Sequence, residues 1–326
     1  MPLSNRNAPL TGRRKRHFED LRKHHVPRYL FRTWSSTSGG GSKISINSET
    51  EIVPPAFVKG AGHKFYEMDE DYIERMARNH YSGLHEPLTE FSSWTASLHF
   101  AFIYAEWMYG EARRDVHVAI IDTKQLDGEV LAWHCPHIMK TTGNHEFLVH
   151  GRISGKGYRA VKYKDILAAG LKRIVPELTK PFIWSDSTPR TNIFLDPAKT
   201  VTDHEMESVQ AVSALFGDLS FPVAVACLTL RPRPGLKRKR RYLGFSASIE
   251  LTSNEMNVIM RGLSYPEIPD DLACERWLFP GMVDTRQFQD VRQWIAMLGA
   301  LAKYKKRKFF QRPSGKHDSL LSQQPA

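Results

Sequence analysis

Several features that would assign a class at once are missing. No stretch approaches the run of roughly 18 apolar residues that a membrane-spanning helix needs. The longest, Leu98 to Tyr109, is short and is interrupted by His99 and Glu106, so no membrane association is expected. The basic N-terminus has no apolar segment behind it, which argues against a secretory leader. Cysteine is scarce: Cys135, Cys227 and Cys274 are far apart and odd in number. That excludes a disulfide framework and fits a reducing, intracellular compartment, cytoplasmic or nuclear. There is no internal repeat, no CxxC pair of the kind that holds structural zinc, and no P-loop spacing around Gly155 and Gly157.

What is present is enough for a folded body. Hydrophobic residues make up 41% of the chain and aromatics 11%, which excludes disorder throughout. The net charge of +11 is concentrated at the ends: Lys and Arg exceed Asp and Glu by seven in residues 1–33 and by six in residues 303–326. One internal run, Arg231 to Arg241, adds seven more cations. Basic clusters at 13–16, 237–241 and 303–308 suit nuclear import or contact with phosphate, though a solvated charged end explains them equally. A nucleic-acid acceptor or partner is therefore compatible with the sequence, as is a protein one.

The patterning predicts an α+β protein of short mixed strands and helices. Residues 1–25 read as a basic flexible tail, 26–183 as the main domain and 184–202 as a linker. Residues 203–310 then form a smaller α+β region, with a basic hairpin loop at 231–241, and 311–326 a disordered tail. Strands are expected at Arg28–Arg32, Phe91–Thr95, Val116–Asp122, Glu146–Ile153, Pro222–Leu230 and Tyr242–Leu251. Helices are expected at Asp69–His80, where Tyr72, Ile73, Met76 and His80 share a face, and at Leu98–Tyr109 behind an N-cap at Ser97. Others follow at 162–171, 203–216, after the capping box Thr252 to Glu255, and from Phe288 into the basic run at 303–308. Residues 134–145 read as a polar loop. Its His134-Cys135-Pro136-His137, with His145 and His150 nearby, reads as incidental histidines rather than a metal site. The aromatics Trp94, Phe100, Phe102, Tyr104 and Trp107 read as core rather than as a base-stacking platform.

Three segments carry the chemistry. They are Tyr29-Leu-Phe-Arg32, Phe91-Ser-Ser93-Trp-Thr95, and Glu146-Phe-Leu-Val-His-Gly151-Arg-Ile153. In that order they resemble the ADP-ribosyltransferase superfamily, in the branch of the cholera and heat-labile enterotoxin catalytic chains. The first is similar to that family's arginine strand, the second to its Ser-Thr-Ser strand entering a helix, and the third to its catalytic-glutamate strand. The resemblance implies NAD as the substrate cofactor, with Arg32, Ser93 and Thr95 binding it and Glu146 and Ser93 in catalysis. The whole chain, including Thr89–Ala101 and Trp133–His137, also resembles an uncharacterised domain family of filamentous fungi, which implies no function.

The chemistry suits these residue types. Cleavage of the nicotinamide–ribose bond passes through an oxocarbenium-like sugar, as in glycoside cleavage, and a carboxylate is stabilising where that charge develops. An Arg fork holds phosphate or ribose oxygens bidentately. Two positions depart from the family. Trp94 replaces the middle Thr of its triplet. Asn144, on the acceptor side, replaces an acidic residue two positions before the Glu, which argues against arginine as the acceptor. Plain alternatives stand beside each role: Arg32 as a strand Arg paired with a carboxylate, Ser93 and Thr95 as strand and cap residues, Glu146 as an exposed strand start. A binding module of the same fold without catalysis is the alternative reading.

Overall fold

The computed structural model describes residues 9–41, 43–84, 86–111, 113, 115–139, 145–179, 193–235, 237–241, 244–263 and 288–310. The expected Asn144, the disordered tail at 311–326 and residues 184–192 of the linker lie outside these residues. The chain is α+β, with small antiparallel sheets and helices packed around them.

One sheet places β5 (His117–Asp122) between β1 (Tyr29–Trp34) and β9 (Tyr158–Lys162). Every residue of β5 is buried, as its continuous apolar run requires. Arg28 forks onto the buried carboxylate of Asp122 at 3.0–3.2 Å, which fixes β1 against β5. A second sheet places β7 (Phe147–His150) between β4 (Phe91–Trp94) and β6 (Leu131–His134). It separates two cores. Trp94, Phe147 and Val149 face the larger one, while Phe91, Leu148, Leu131 and Trp133 face the smaller. The third sheet joins β2 (Ile46–Asn47), β3 (Glu51–Val53) and β8 (Ile153–Ser154).

The helices begin where their caps demand. Asp69 accepts the Tyr72 N–H at 2.7 Å to start α3 (Glu70–Tyr81), behind the short α2 (Pro55–Val58). Ser97 accepts the Phe100 N–H at 2.9 Å to start α4 (Leu98–Gly110). Then come α5 (Cys135–Met139), α6 (Tyr163–Ala168), α7 (Leu171–Ile174), α8 (Asp203–Ala214) and α9 (Ser220–Cys227). The hairpin β10 (Lys237–Arg241) and β11 (Gly244–Ser248) precedes α10 (Ser253–Gly262), whose capping box is formed, and α11 (Gln289–Phe310) closes the described chain.

Four sequence expectations are corrected. Residues 12–25 are not a flexible tail: they form α1 (Gly12–His25), which Thr11 caps. Phe18 is 2% exposed, packs edge-on against Phe65 and Trp133, and its carbonyl accepts Trp133 Nε1–H at 2.9 Å. So few apolar residues dock this helix that its periodicity was drowned by charge. Residues 135–139 are helical rather than loop. Residues 220–227 are helical rather than a strand from Pro222; the segment is buried almost all round, which erases periodicity, and Pro222 falls in the first turn, where its missing N–H costs nothing.

The fourth correction concerns the basic run. Lys237–Arg241 is itself a strand, paired with Gly244–Ser248 in register Lys237 to Ser248. Nor are its first arginines free in solvent. Arg231 pairs with Glu177 at 2.8 Å. Arg233 is 3% exposed, pairs with Glu205, and donates to the carbonyl of Leu228 at 2.6 Å.

Among the described residues, the C-terminal region shares one core with the main domain. One cluster of buried residues runs from Tyr29 to Leu301. Trp294 of α11 lies 5.7 Å from Phe31 of β1, ring to ring. Asp290 accepts the Ser97 hydroxyl at 2.8 Å and the His99 N–H at 3.2 Å, so α11 completes the N-terminal cap of α4.

Candidate functional site

The register of the second sheet dictates which side chains meet. Ser93 pairs with Leu148, and Glu146 lies two residues before Leu148. With a strand period of two, Ser93 and Glu146 therefore face the same side, as diagonal neighbours. The backbone at Glu146 is fixed by its carbonyl, which accepts the Cys135 N–H at 2.9 Å. β1 reaches the same place through a bridge in which Phe31 and Thr95 exchange N–H···O bonds at 2.7 and 2.8 Å.

Arg32, Ser93, Thr95 and Glu146 all line one cavity of about 620 Å³, within the usual range of ligand pockets of about 300–1,000 Å³. Arg32 donates from Nη1 to the Ser93 carbonyl at 2.7 Å and from Nη2 to Asn47 Oδ1 at 3.4 Å. Burial lowers its pKa, which Tyr158, Tyr104 and Glu146 partly oppose. Burial raises the pKa of Glu146 above its usual 4.5, although its hydrogen bond with Ser93 and the charge of Arg32 pull the other way. Thr95 turns its hydroxyl to the Ser97 N–H at 3.2 Å, so its direct part in the site is the backbone bridge to β1.

His80, at the end of α3, was not singled out by the sequence. Its Nε2 lies 2.7 Å from Ser93 Oγ and its Nδ1 lies 3.0 Å from Thr89 Oγ1. Burial, and secondarily Arg32, lower its pKa to about 3, so it is neutral at ordinary pH. Thr89 Oγ1 already accepts the Phe91 N–H at 3.1 Å. With Thr89 O–H donating to Nδ1, Nε2–H donates to Ser93 Oγ, and the Ser93 hydroxyl proton is left for the face it shares with Glu146. Such a chain polarises each member in the same sense. The available signal was a polar residue on the buried face of α3, where a fourth apolar side chain was due. Asn47 had no signal in the sequence.

Trp94 does not crowd Ser93. The period of two turns it to the larger core, where it is 2% exposed, bonds Ser92 Oγ through Nε1 at 2.9 Å, and meets Tyr158 edge-on at 6.4 Å. Neighbouring groups offer little competing chemistry. Burial, then Glu146, push the Cys135 thiol up and away from thiolate. His137 is lowered to about 4 by burial and by His134, His25 and His17. Among the described residues no group of three or more His, Cys, Asp or Glu is arranged to hold a metal ion, and no helix is long and apolar enough to cross a membrane.

The arrangement thus defines an α+β domain in which an arginine, a buried carboxylate and a serine held by a histidine line one cavity. Residues 25–162 match the model of a family described as a domain of unknown function (DUF7587), and the matched segment carries Arg32, His80, Ser93 and Glu146. No curated protein and no solved structure matches the chain.

Proposed function

We propose that the protein cleaves NAD at the nicotinamide–ribose bond, as an ADP-ribosyltransferase or an NAD glycohydrolase acting on an unknown protein or nucleic-acid acceptor. The observation that carries this reading is the Ser93 hydroxyl, held by His80 Nε2 at 2.7 Å on the same sheet face as Glu146, in the cavity that Arg32 and Glu146 also line. Glu146 is the catalytic carboxylate: ionised, it stabilises the cationic sugar of the transition state. Ser93 orients it, and Arg32 grips the cofactor. Calorimetric titration with NAD, followed by an assay for released nicotinamide, tests the reading. Binding with release supports it, and absence of binding refutes it.

A second reading is a binding module of the same fold without catalysis. It is favoured by the engagement of Arg32 with the Ser93 carbonyl and Asn47 and by the rise of Glu146 toward its neutral form. NAD binding with no nicotinamide release supports that alternative.

A further inference from the structure

The cavity is lined by a second arginine, Arg113. Arg113 follows α4 and makes no ion pair among the described residues. Its Nη1 donates to Thr37 Oγ1 at 3.2 Å and its guanidinium lies 5.6 Å from the centre of the Trp107 ring. Arg32 likewise has no carboxylate in ion-pair contact among the described residues, and its Nε is buried without a partner. Two arginines facing one cleft, neither in a salt bridge, leave positive charge that a ligand anion would neutralise. Glu146 is the carboxylate among the lining residues, and burial biases it toward its neutral form.

Between the arginines runs the turn Thr37–Gly40, which also lines the cavity. Thr37 is right-handed (φ −93°, ψ −6°) and Gly39 left-handed (φ 64°, ψ 26°), with Gly40 and Gly41 following at φ 89° and 87°. The turn is closed by its own bonds, Ser38 N–H to the Ser35 carbonyl at 2.9 Å and Gly41 N–H to the Ser38 carbonyl at 3.4 Å, and its glycines let the backbone itself border the cavity. The glycines are required by space as well as by φ. A Cβ at Gly39 would lie 2.6 Å from Ser45 Oγ, and one at Gly40 2.9 Å from Ile44 Cδ1. Backbone and hydroxyls therefore border the cleft there without side-chain bulk.

We propose that Arg113, Thr37 and the Gly39–Gly40 turn, together with Arg32, form a diphosphate subsite, so that the cavity takes nucleoside diphosphates. This assignment deepens the NAD reading and rests on the same cavity, but it does not require catalysis. The diphosphate lies between the arginines, which places the attached ribose toward Ser93 and Glu146.

The test uses the full chain and four probes, namely adenosine, AMP, ADP and inorganic pyrophosphate, with NAD alongside. ADP is expected to bind at least tenfold more tightly than adenosine, and its affinity to fall with added salt. Arg113→Gln is expected to weaken ADP about 10- to 100-fold, the range of one charge-assisted hydrogen bond, with an unchanged melting temperature because Arg113 holds no buried partner. Equal affinity for adenosine and ADP overturns the subsite. So does NAD binding that Arg113→Gln leaves intact, and that result spares the proposed chemistry. ADP binding that depends on Arg113, with no release of nicotinamide from NAD, upholds the subsite and removes the catalytic reading. Pyrophosphate binding as tight as that of ADP refutes recognition of the nucleoside.

Discussion

Replacing His80 with glutamine isolates one proton. In the folded chain burial and Arg32 hold His80 near a pKa of about 3, against 6.5 for the free side chain. A group whose folded pKa is lowered binds its proton more readily in the unfolded state. Stability is therefore intact above pH 6.5 and is lost as pH falls from there toward 3. At pH 5 the unfolded histidine is 1.5 units below its own pKa, so at 1.36 kcal/mol per unit the loss is about 2 kcal/mol relative to pH 8. Glutamine cannot titrate, yet its amide still reaches Ser93 Oγ.

The assay is denaturant unfolding of both chains at pH 8, 7, 6 and 5, with the difference between them taken at each pH. His137 is also lowered, to about 4, but it titrates in both chains and cancels. At pH 8 the variant is expected to be the less stable by about 1 kcal/mol, for the lost bond to Thr89. By pH 5 that difference should shrink to zero or reverse, because the wild type alone loses the further 2 kcal/mol or so. A difference that stays constant within about 0.5 kcal/mol from pH 8 to pH 5 refutes the buried, neutral His80.

Glu146→Gln keeps size and hydrogen bonding while removing the charge; nicotinamide release should fall on the order of 10²–10³-fold, far more than NAD affinity, which loses only the attraction between carboxylate and nicotinamide. Asp290→Ala strands the Ser97 hydroxyl and the His99 N–H, both about 1% exposed, and should cost about 2–4 kcal/mol by denaturant unfolding, with Asp290→Asn milder. A chain ending at residue 183 should expose the apolar faces of β1 and α4 that α11 covers, and should bind a hydrophobic dye or aggregate where the full chain does not.

Much of the site was legible because strands carry their own geometry. Arg32, Ser93 and Glu146 each lie on or beside a short apolar segment bounded by turns, and alternation alone assigns their faces. Cap residues Ser97 and Thr252 announced two helices one residue before they start. What was not legible came from distant segments. His80 reaches Ser93 across thirteen residues, Asn47 reaches Arg32 across fifteen, and Asp290 reaches Ser97 across 193. No local pattern encodes such pairs. α1 and α9 failed for opposite reasons, the first because charge hid its few apolar contacts, the second because uniform burial left no polar face to mark the period.

The balance at Glu146 gives the proposed chemistry a signature that neither fold nor sequence supplies. Burial raises its pKa, while Ser93 and Arg32 lower it, so its ionisation is set by which charges share the cleft. Oxidised NAD brings a positive nicotinamide ring. A cation entering beside the carboxylate favours the ionised form, which is the form that stabilises the sugar cation. NAD binding should then expel a proton from Glu146, and NAD affinity should rise with pH through the range in which the empty site titrates. Calorimetry in two buffers of different ionisation enthalpy reads this directly, as a buffer-dependent heat that vanishes in Glu146→Gln. Reduced NAD, whose ring is neutral, should release no such proton. Equal proton release with both forms of the cofactor, or release that persists in Glu146→Gln, would mean that another group titrates and that the nicotinamide does not lie against Glu146.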